Sequence, residues 1–204
     1  GTNMDAVNET QFSQPAIFSL EYSLYEAWRA RGVVPDVVFG HSVGEYAAAC
    51  AAGFISLEDA LRVVEARGRL LQAQPKREGV MVSVRAGRAE VEGAMREHRA
   101  GGDVGVVAIA AVNGPKSVVI SGEGRSARAV ASRLGAASRE LTVSHAFHSP
   151  LVAGSLDEFR HVLSGVRFLK PKSRTGPMFV SALTGKVVGA SEITVDYWAS
   201  HVVE

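Results

Sequence analysis

Residues 37–53 constrain the fold more than any other stretch. A β-branched and aromatic run, Val37-Val38-Phe39, leads into Gly40-His41-Ser42-Val43-Gly44 and then into an alanine-rich stretch ending at Gly53. Strand, tight turn and helix follow one another within about fifteen residues, a length typical of α/β connections. The turn has the G-x-S-x-G form of a serine held at a sharp strand-to-helix bend. Such a bend crowds the backbone, so side chains on either side of the serine would block it, and glycines stand there instead. The following helix presents its first N–H groups to the turn, which puts the N–H of Val43 in position to stabilise an oxyanion. A serine that merely capped the helix would be replaceable by Thr, Asp or Asn and would not require both glycines.

Upstream, Ser13 to Gly32 reads as a helix, with Pro15 in its first turn and Gly32 just past its end. Phe18, Leu24, Tyr25 and Trp28 recur at helical spacing as its packing face. Ser56 opens a second helix, with Asp59 as a capping-box-like partner, and this helix stops before Pro75. A different rhythm follows. Strand 80–84, helix 88–98, strands 104–112 and 117–121 across an Asn113-Gly114-Pro115-Lys116 turn, helix 126–134 and strand 139–143 make the order βαββαβ, the ferredoxin-like arrangement. Beyond it come a helix over 151–163, a strand over 178–181 and a helical piece over 196–201. The expected fold is therefore α/β: a hydrolase-like large subdomain, residues 1–78 and 145–204, with an inserted ferredoxin-like α+β subdomain over 79–144.

Composition excludes several functions. Hydrophobic residues make up 47% of the 204, enough to bury a full core. Lys plus Arg number 22 against 21 acidic residues, with no basic stripe interleaved with aromatics, so nucleic-acid binding has no electrostatic support. No apolar run approaches the roughly 20 residues that span a bilayer, and no signal-peptide pattern is present. Cys50 is the only cysteine, which excludes an internal disulfide or a cysteine metal site and fits a reducing, cytoplasmic compartment.

A serine nucleophile needs a base within hydrogen-bond reach. Of the six histidines, His98 and His161 lie in charged or amphipathic helical text and are expected to be solvated. His145 and His148 share Ser-His-Ala-Phe-His-Ser-Pro in a loop leaving a strand, where catalytic groups concentrate. A hydrolase would place an Asp or Glu between serine and histidine. Asp103, in a Gly-rich turn of the inserted unit, is a poor candidate and no other acid has suitable context. The base is then oriented by a neutral group such as a backbone carbonyl. Arg67 borders the stripe Leu61, Val64, Gly68 and Leu71 on the second helix, while Arg62 and Arg69 take the opposite, solvated face. An arginine beside a buried stripe needs an anionic partner: a ligand carboxylate, or Glu45 or Glu65 in a structural ion pair.

Gly-His-Ser-Val-Gly-Glu-Tyr, Glu-Ala-Arg-Gly-Arg-Leu-Leu, Ala-Val-Asn-Gly-Pro, Ser-His-Ala-Phe-His-Ser-Pro and Tyr-Trp stand in the order found in malonyl-CoA:acyl-carrier-protein transacylases. The text most resembles the acyltransferase domains of polyketide synthases. The resemblance implies Ser42 as the acylated nucleophile, His148 as base, a backbone carbonyl near His201 orienting it, and Arg67 as the group that binds the substrate carboxylate. Val43 would contribute to the oxyanion hole. His145 and Phe147, with Val43 after the serine, resemble the malonyl-selective subgroup; the methylmalonyl subgroup usually carries Tyr-Ala-Ser-His. Phe147 would occupy the space a methyl branch needs, unless it is ordinary core. The resemblance implies no bound cofactor and no metal. The donor would be a coenzyme A thioester, and the acceptor the phosphopantetheine thiol of an acyl carrier protein. A ketosynthase would be among the neighbouring domains. The family's opening Gly-Gln-Gly motif, with a second oxyanion N–H, and its closing strand and helix do not occur in the text, so the chain is expected to be a fragment of something longer.

Two other functions fit parts of this text. A serine hydrolase acting on esters or thioesters would pair His148 with an acid and give Arg67 no role. A non-catalytic remnant that docks carrier proteins would form no covalent adduct.

Overall fold

A computed structural model describes residues 4–75, 79–143, 145–171 and 176–204. The expected boundary residue Glu78, and Ser144 at the head of the histidine motif, lie outside the described residues. Contacts divide the chain into two compact units, 1–73 with 157–201 and 74–156 with 202–204. The expected boundaries at 78/79 and 144/145 differ from this grouping most at 145–156, which groups with the second unit.

The first unit is α/β. Helix α1 (Thr10–Arg29) leads to strand β1 (Val37–Val38), helix α2 (Gly44–Ala51) and helix α3 (Leu57–Gln72). After the second unit come helix α6 (Leu156–Ser164), strand β6 (Met178–Phe179) and helix α7 (Val195–Val203). β1 pairs in parallel with β6, Val37 opposite Met178 and Val38 opposite Phe179. The Ser56 side chain accepts the Asp59 N–H at 3.1 Å and caps α3. The α3 face that turns inward carries Ala60, Val63, Val64, Arg67, Leu70 and Leu71, whereas Leu61 is half exposed. Arg67 thus sits in the middle of the buried stripe, not at its border.

Helix α1 differs from expectation in two ways. It starts at Thr10, three residues early, so Pro15 stands in the second turn, where it removes an intrahelical donor. Its buried face is Thr10, Gln14 and Phe18, while Leu24 and Trp28 are exposed. Hydrophobic spacing misses this face because two of its three members are polar. α1 packs on α3 at Gly68, where an added Cβ would lie 2.9 Å from the Thr10 carbonyl oxygen and 3.1 Å from the Gln11 Cα. Glycine lets the two backbones approach this closely.

The second unit runs β2 (Gly79–Val84), α4 (Arg88–Ala100), β3 (Val107–Gly114), β4 (Ser117–Glu123), α5 (Gly124–Arg133) and β5 (Ser138–Glu140). Its sheet has the order β3-β4-β2-β5 with every pair antiparallel, the ferredoxin-like topology. Val80, Val82 and Val84 alternate onto the face covered by α4 and α5, where Val91, Met95, Ala127 and Val130 complete the core. Met81 takes the other face with Ala110 and Val119. The β3–β4 hairpin turns at Pro115-Lys116; Asn113 and Gly114 remain in the strand, next to a register shift between Val112 and Gly114. The expected 151–163 helix is in fact a 3-10 segment, Pro150–Ser155, followed by α6.

His98 is not solvated. It is buried at the C-terminal end of α4, with Nε2 3.1 Å from Asp103. Asp103 also accepts the Gly105 N–H at 2.7 Å and the Ser126 hydroxyl at 3.0 Å. The Gly105 N–H and then the Ser126 hydroxyl hold its carboxyl below the usual range. Asp103 therefore clasps the loop between α4 and β3. His161 is exposed, as expected.

Candidate active site

β1 carries the chain to Gly40, where an added Cβ would fall 2.1 Å from the Gly44 carbonyl carbon and 2.2 Å from the Glu45 nitrogen. No side chain fits there. Ser42 follows at φ +51°, a left-handed conformation that strains any residue with a Cβ. At Gly44 an added Cβ would lie 3.0 Å from a Glu21 carboxylate oxygen. α2 begins at once, with Val43 buried at its N-cap. The Val43 N–H precedes the first turn, so it has no intrahelical acceptor and lies at the positive end of the helix dipole.

Arg67 reaches this elbow from α3. It is only 3% exposed. Its Nη2 donates to Ser42 Oγ at 3.2 Å, its Nη1 donates to Gln14 Oε1, and its guanidinium carbon stands 6.0 Å from the Tyr46 ring centroid. Neither acid weighed as a structural partner pairs with it: Glu65 binds Arg69 at 3.3 Å, and Glu45 faces His201 at 3.3 Å. Among the described residues no carboxylate lies within ion-pair distance of Arg67, and its Nε has no hydrogen-bond partner. Burial pulls its pKa down, against the opposing influence of Tyr46 and Glu45, but a guanidinium stays charged. A buried cation without a counter-charge in contact is costly unless an anion joins it.

Behind the elbow stands a polar cluster that the sequence did not reveal. Glu45, wholly buried in the first turn of α2, accepts from the Tyr197 hydroxyl and from the Ala182 N–H at 3.0 Å, and faces His201 Nε2. The Tyr197 hydroxyl also lies 2.7 Å from Ser181 Oγ. Trp198 stacks on Tyr46 at 4.3 Å, and both rings meet His201 edge-on. The only sequence signal was a glutamate three residues after the serine, on the inward face of its helix. Burial holds the His201 pKa below its usual 6.5, with Glu45 opposing. The imidazole is neutral when folded and free to protonate when unfolded, so the unfolded state binds more protons below the usual value. Stability is then full above about pH 6.5 and falls as pH drops toward the folded pKa. Urea midpoints between pH 7.5 and 5.5 check this; His201→Asn should flatten the slope.

Ser42, Val43, Arg67 and His201 lie in the first unit, and His145, Phe147 and His148 in the second. His145 is buried, its Nε2 2.9 Å from the Gln74 carbonyl oxygen and its ring 5.8 Å from that of Phe147. Phe147, partly buried, packs on the Met81, Ala110 and Val119 cluster. His148 has φ +53°. Ser149, fully buried, donates to the Ala146 carbonyl at 2.6 Å and accepts the Leu151 N–H at 3.3 Å, which pins the loop on both sides of His148.

An α/β unit carrying a strained serine elbow with a buried arginine against it, and interrupted in sequence by a ferredoxin-like unit, has the architecture of an acyltransferase. The family model described as acyl transferase domain matches residues 2–204, and the chain belongs to that family. It is 47% identical over 202 residues to polyketide synthase GfsA of Streptomyces halstedii, covering 97% of this chain and 3% of that protein. It is 42% identical over 205 residues to mycoketide-CoA synthase of Mycobacterium tuberculosis, covering 99% of this chain and 5% of that protein. Among solved structures, the acyltransferase domain from the second module of the salinomycin polyketide synthase superposes with TM-score 0.89 at 44% identity, over 98% of this chain and 46% of that one. The malonyl CoA-acyl carrier protein transacylase of Coxiella burnetii superposes with TM-score 0.88 at 28% identity, over 99% and 64%. The chain thus spans a small part of its curated relatives and about half to two thirds of these solved domains. Among the described residues, no helix is long and apolar enough to cross a membrane.

Proposed function

We propose that this acyltransferase domain moves malonyl from malonyl-CoA, through an ester on Ser42, to the phosphopantetheine thiol of an acyl carrier protein within a polyketide synthase. The observation that carries the reading is the 3.2 Å contact between Ser42 Oγ and a buried guanidinium that no described carboxylate neutralises. In a malonyl thioester one methylene separates the carboxylate from the electrophilic carbon. A cation touching the nucleophile therefore suits an acyl group whose charge lies that close to the reacting carbonyl, and a guanidinium can bind the carboxylate bidentately.

In the first half-reaction His148 takes the Ser42 proton, Oγ bonds to the thioester carbon, and the Val43 N–H receives the developing oxyanion. The carbon–sulfur bond breaks, and coenzyme A leaves as a thiol with the proton from His148. In the second, the phosphopantetheine thiol gives its proton to His148 and its sulfur attacks the acyl-serine. The Oγ–carbon bond breaks, and Ser42 recovers the proton. Water must be excluded throughout, or the ester hydrolyses. The backbone carbonyl near His201 orients His148. His145 and Phe147 narrow the acyl pocket against a methyl branch, a steric preference worth about 1–3 kcal/mol and short of exclusion.

The test is single-turnover loading of the Ser42 peptide of the full-length protein, followed by mass spectrometry, with malonyl-, methylmalonyl-, succinyl- and acetyl-CoA. Malonyl should load fastest. Methylmalonyl should trail by roughly 10- to 200-fold, and succinyl, with its charge one methylene too far, should trail malonyl as well. Equal loading of charged and uncharged acyl groups would indicate the hydrolase; no adduct from any of them would indicate the docking remnant.

A further inference from the structure

Arg67 is aimed by a neutral side chain where an ion pair would be the ordinary solution. Gln14 reaches it from α1, 53 residues away in sequence, and its Oε1 accepts from Nη1. The amide cannot turn over without loss, because its Nε2 donates to Thr10 Oγ1 at 2.6 Å. Thr10 is held in turn: its N–H, an orphan donor at the start of α1, is taken by Gln72 Oε1 at 3.0 Å from the end of α3. Thr10 and Gln14 are each only 6% exposed, and Gly68 sets the close spacing of the two helices that makes this relay possible.

We propose that Gln14 is a positioning and specificity-determining residue: it directs the Arg67 guanidinium toward Ser42 while contributing no charge, so that the cation stays available to a carboxylated acyl group. This rests on the reading of Arg67 as the malonyl-carboxylate site and assigns to a second residue the task of keeping that site electrostatically open. A glutamate has almost the same shape and would satisfy the same Nη1 donor. It would also place a carboxylate on the guanidinium, and the incoming substrate would meet an ion pair in place of a cation. An uncharged acyl group would not experience that difference. Glutamine supplies the acceptor without the charge, and its fixed second donor ensures that the oxygen is the atom presented to Arg67.

The experiment measures single-turnover loading of the Ser42 peptide by malonyl-CoA and acetyl-CoA in the full-length protein, comparing wild type, Gln14→Glu, Gln14→Ala and Arg67→Ala. Gln14→Glu should lower the malonyl-to-acetyl ratio by on the order of tenfold or more. Gln14→Ala, which frees the guanidinium without neutralising it, should lower the ratio less than Gln14→Glu does. A merely structural role would depress both loadings together and leave the ratio where it was. If the ratio is unmoved in both Gln14 variants but collapses in Arg67→Ala, the role of Gln14 is overturned and the carboxylate site stands. If Arg67→Ala itself leaves the ratio unmoved, the carboxylate site falls.

Discussion

Ser42→Ala is expected to leave no malonyl label on its peptide and to cut transfer to a carrier-protein thiol by about 10⁴-fold or more, since no other described group at the elbow can form the ester. Alanine keeps a Cβ at φ +51°, so the substitution neither relieves the elbow's strain nor adds to it. Among what the fold loses is the acceptor for Arg67 Nη2, 3.2 Å away. An unsatisfied buried donor costs about 1–3 kcal/mol, a measurable fall in the urea midpoint without unfolding. Peptide mass spectrometry and denaturant titration on the same sample separate the two effects. A malonyl ester persisting in Ser42→Ala, or appearing on another residue of the wild type, would sink the nucleophile assignment.

Arg67→Ala should have the next largest effect, and a selective one. Two charge-assisted hydrogen bonds to a carboxylate are together worth about 3–4 kcal/mol, so malonyl loading should fall some 10²- to 10³-fold. Acetyl loading makes no use of those bonds and should fall far less. Arg67→Lys should not rescue, because an ammonium cannot hold Gln14, Ser42 and a carboxylate in the forked geometry that Arg67 presents. Stability should change less than the burial of a whole arginine implies: the variant loses packing but also loses a buried cation that no described carboxylate contacts. Equal losses with both thioesters would mean that Arg67 supports the elbow and does not read the substrate.

The serine elbow was legible in the sequence because everything that makes it is local. Gly40 and Gly44 flank Ser42 within four residues, and the crowding that demands them comes from the same turn: Gly40 abuts the backbone of Gly44 and Glu45. The ferredoxin-like unit was legible for a similar reason, since alternating valines in β2 and the successive short elements carry their periods on their face. Leu24 and Trp28 misled, because spacing reports which residues share a face and not whether that face is covered. His98 misled in the opposite direction. Its charged neighbours on α4 are solvated, but the loop that follows folds Asp103 back onto it.

The sequence alone determined where the chain bends to present Ser42, and that an arginine follows beside a buried helical stripe. Only the tertiary structure decided what that arginine touches: Gln14 from a helix 53 residues upstream and Ser42 from a turn 25 residues upstream, with Glu45 committed instead to Tyr197 and His201 some 150 residues downstream. Local chemistry follows from neighbours in the chain. The partner of a buried charge follows from which helices meet at close range, and that depends on contacts such as Gly68 against Thr10, which no sequence period encodes.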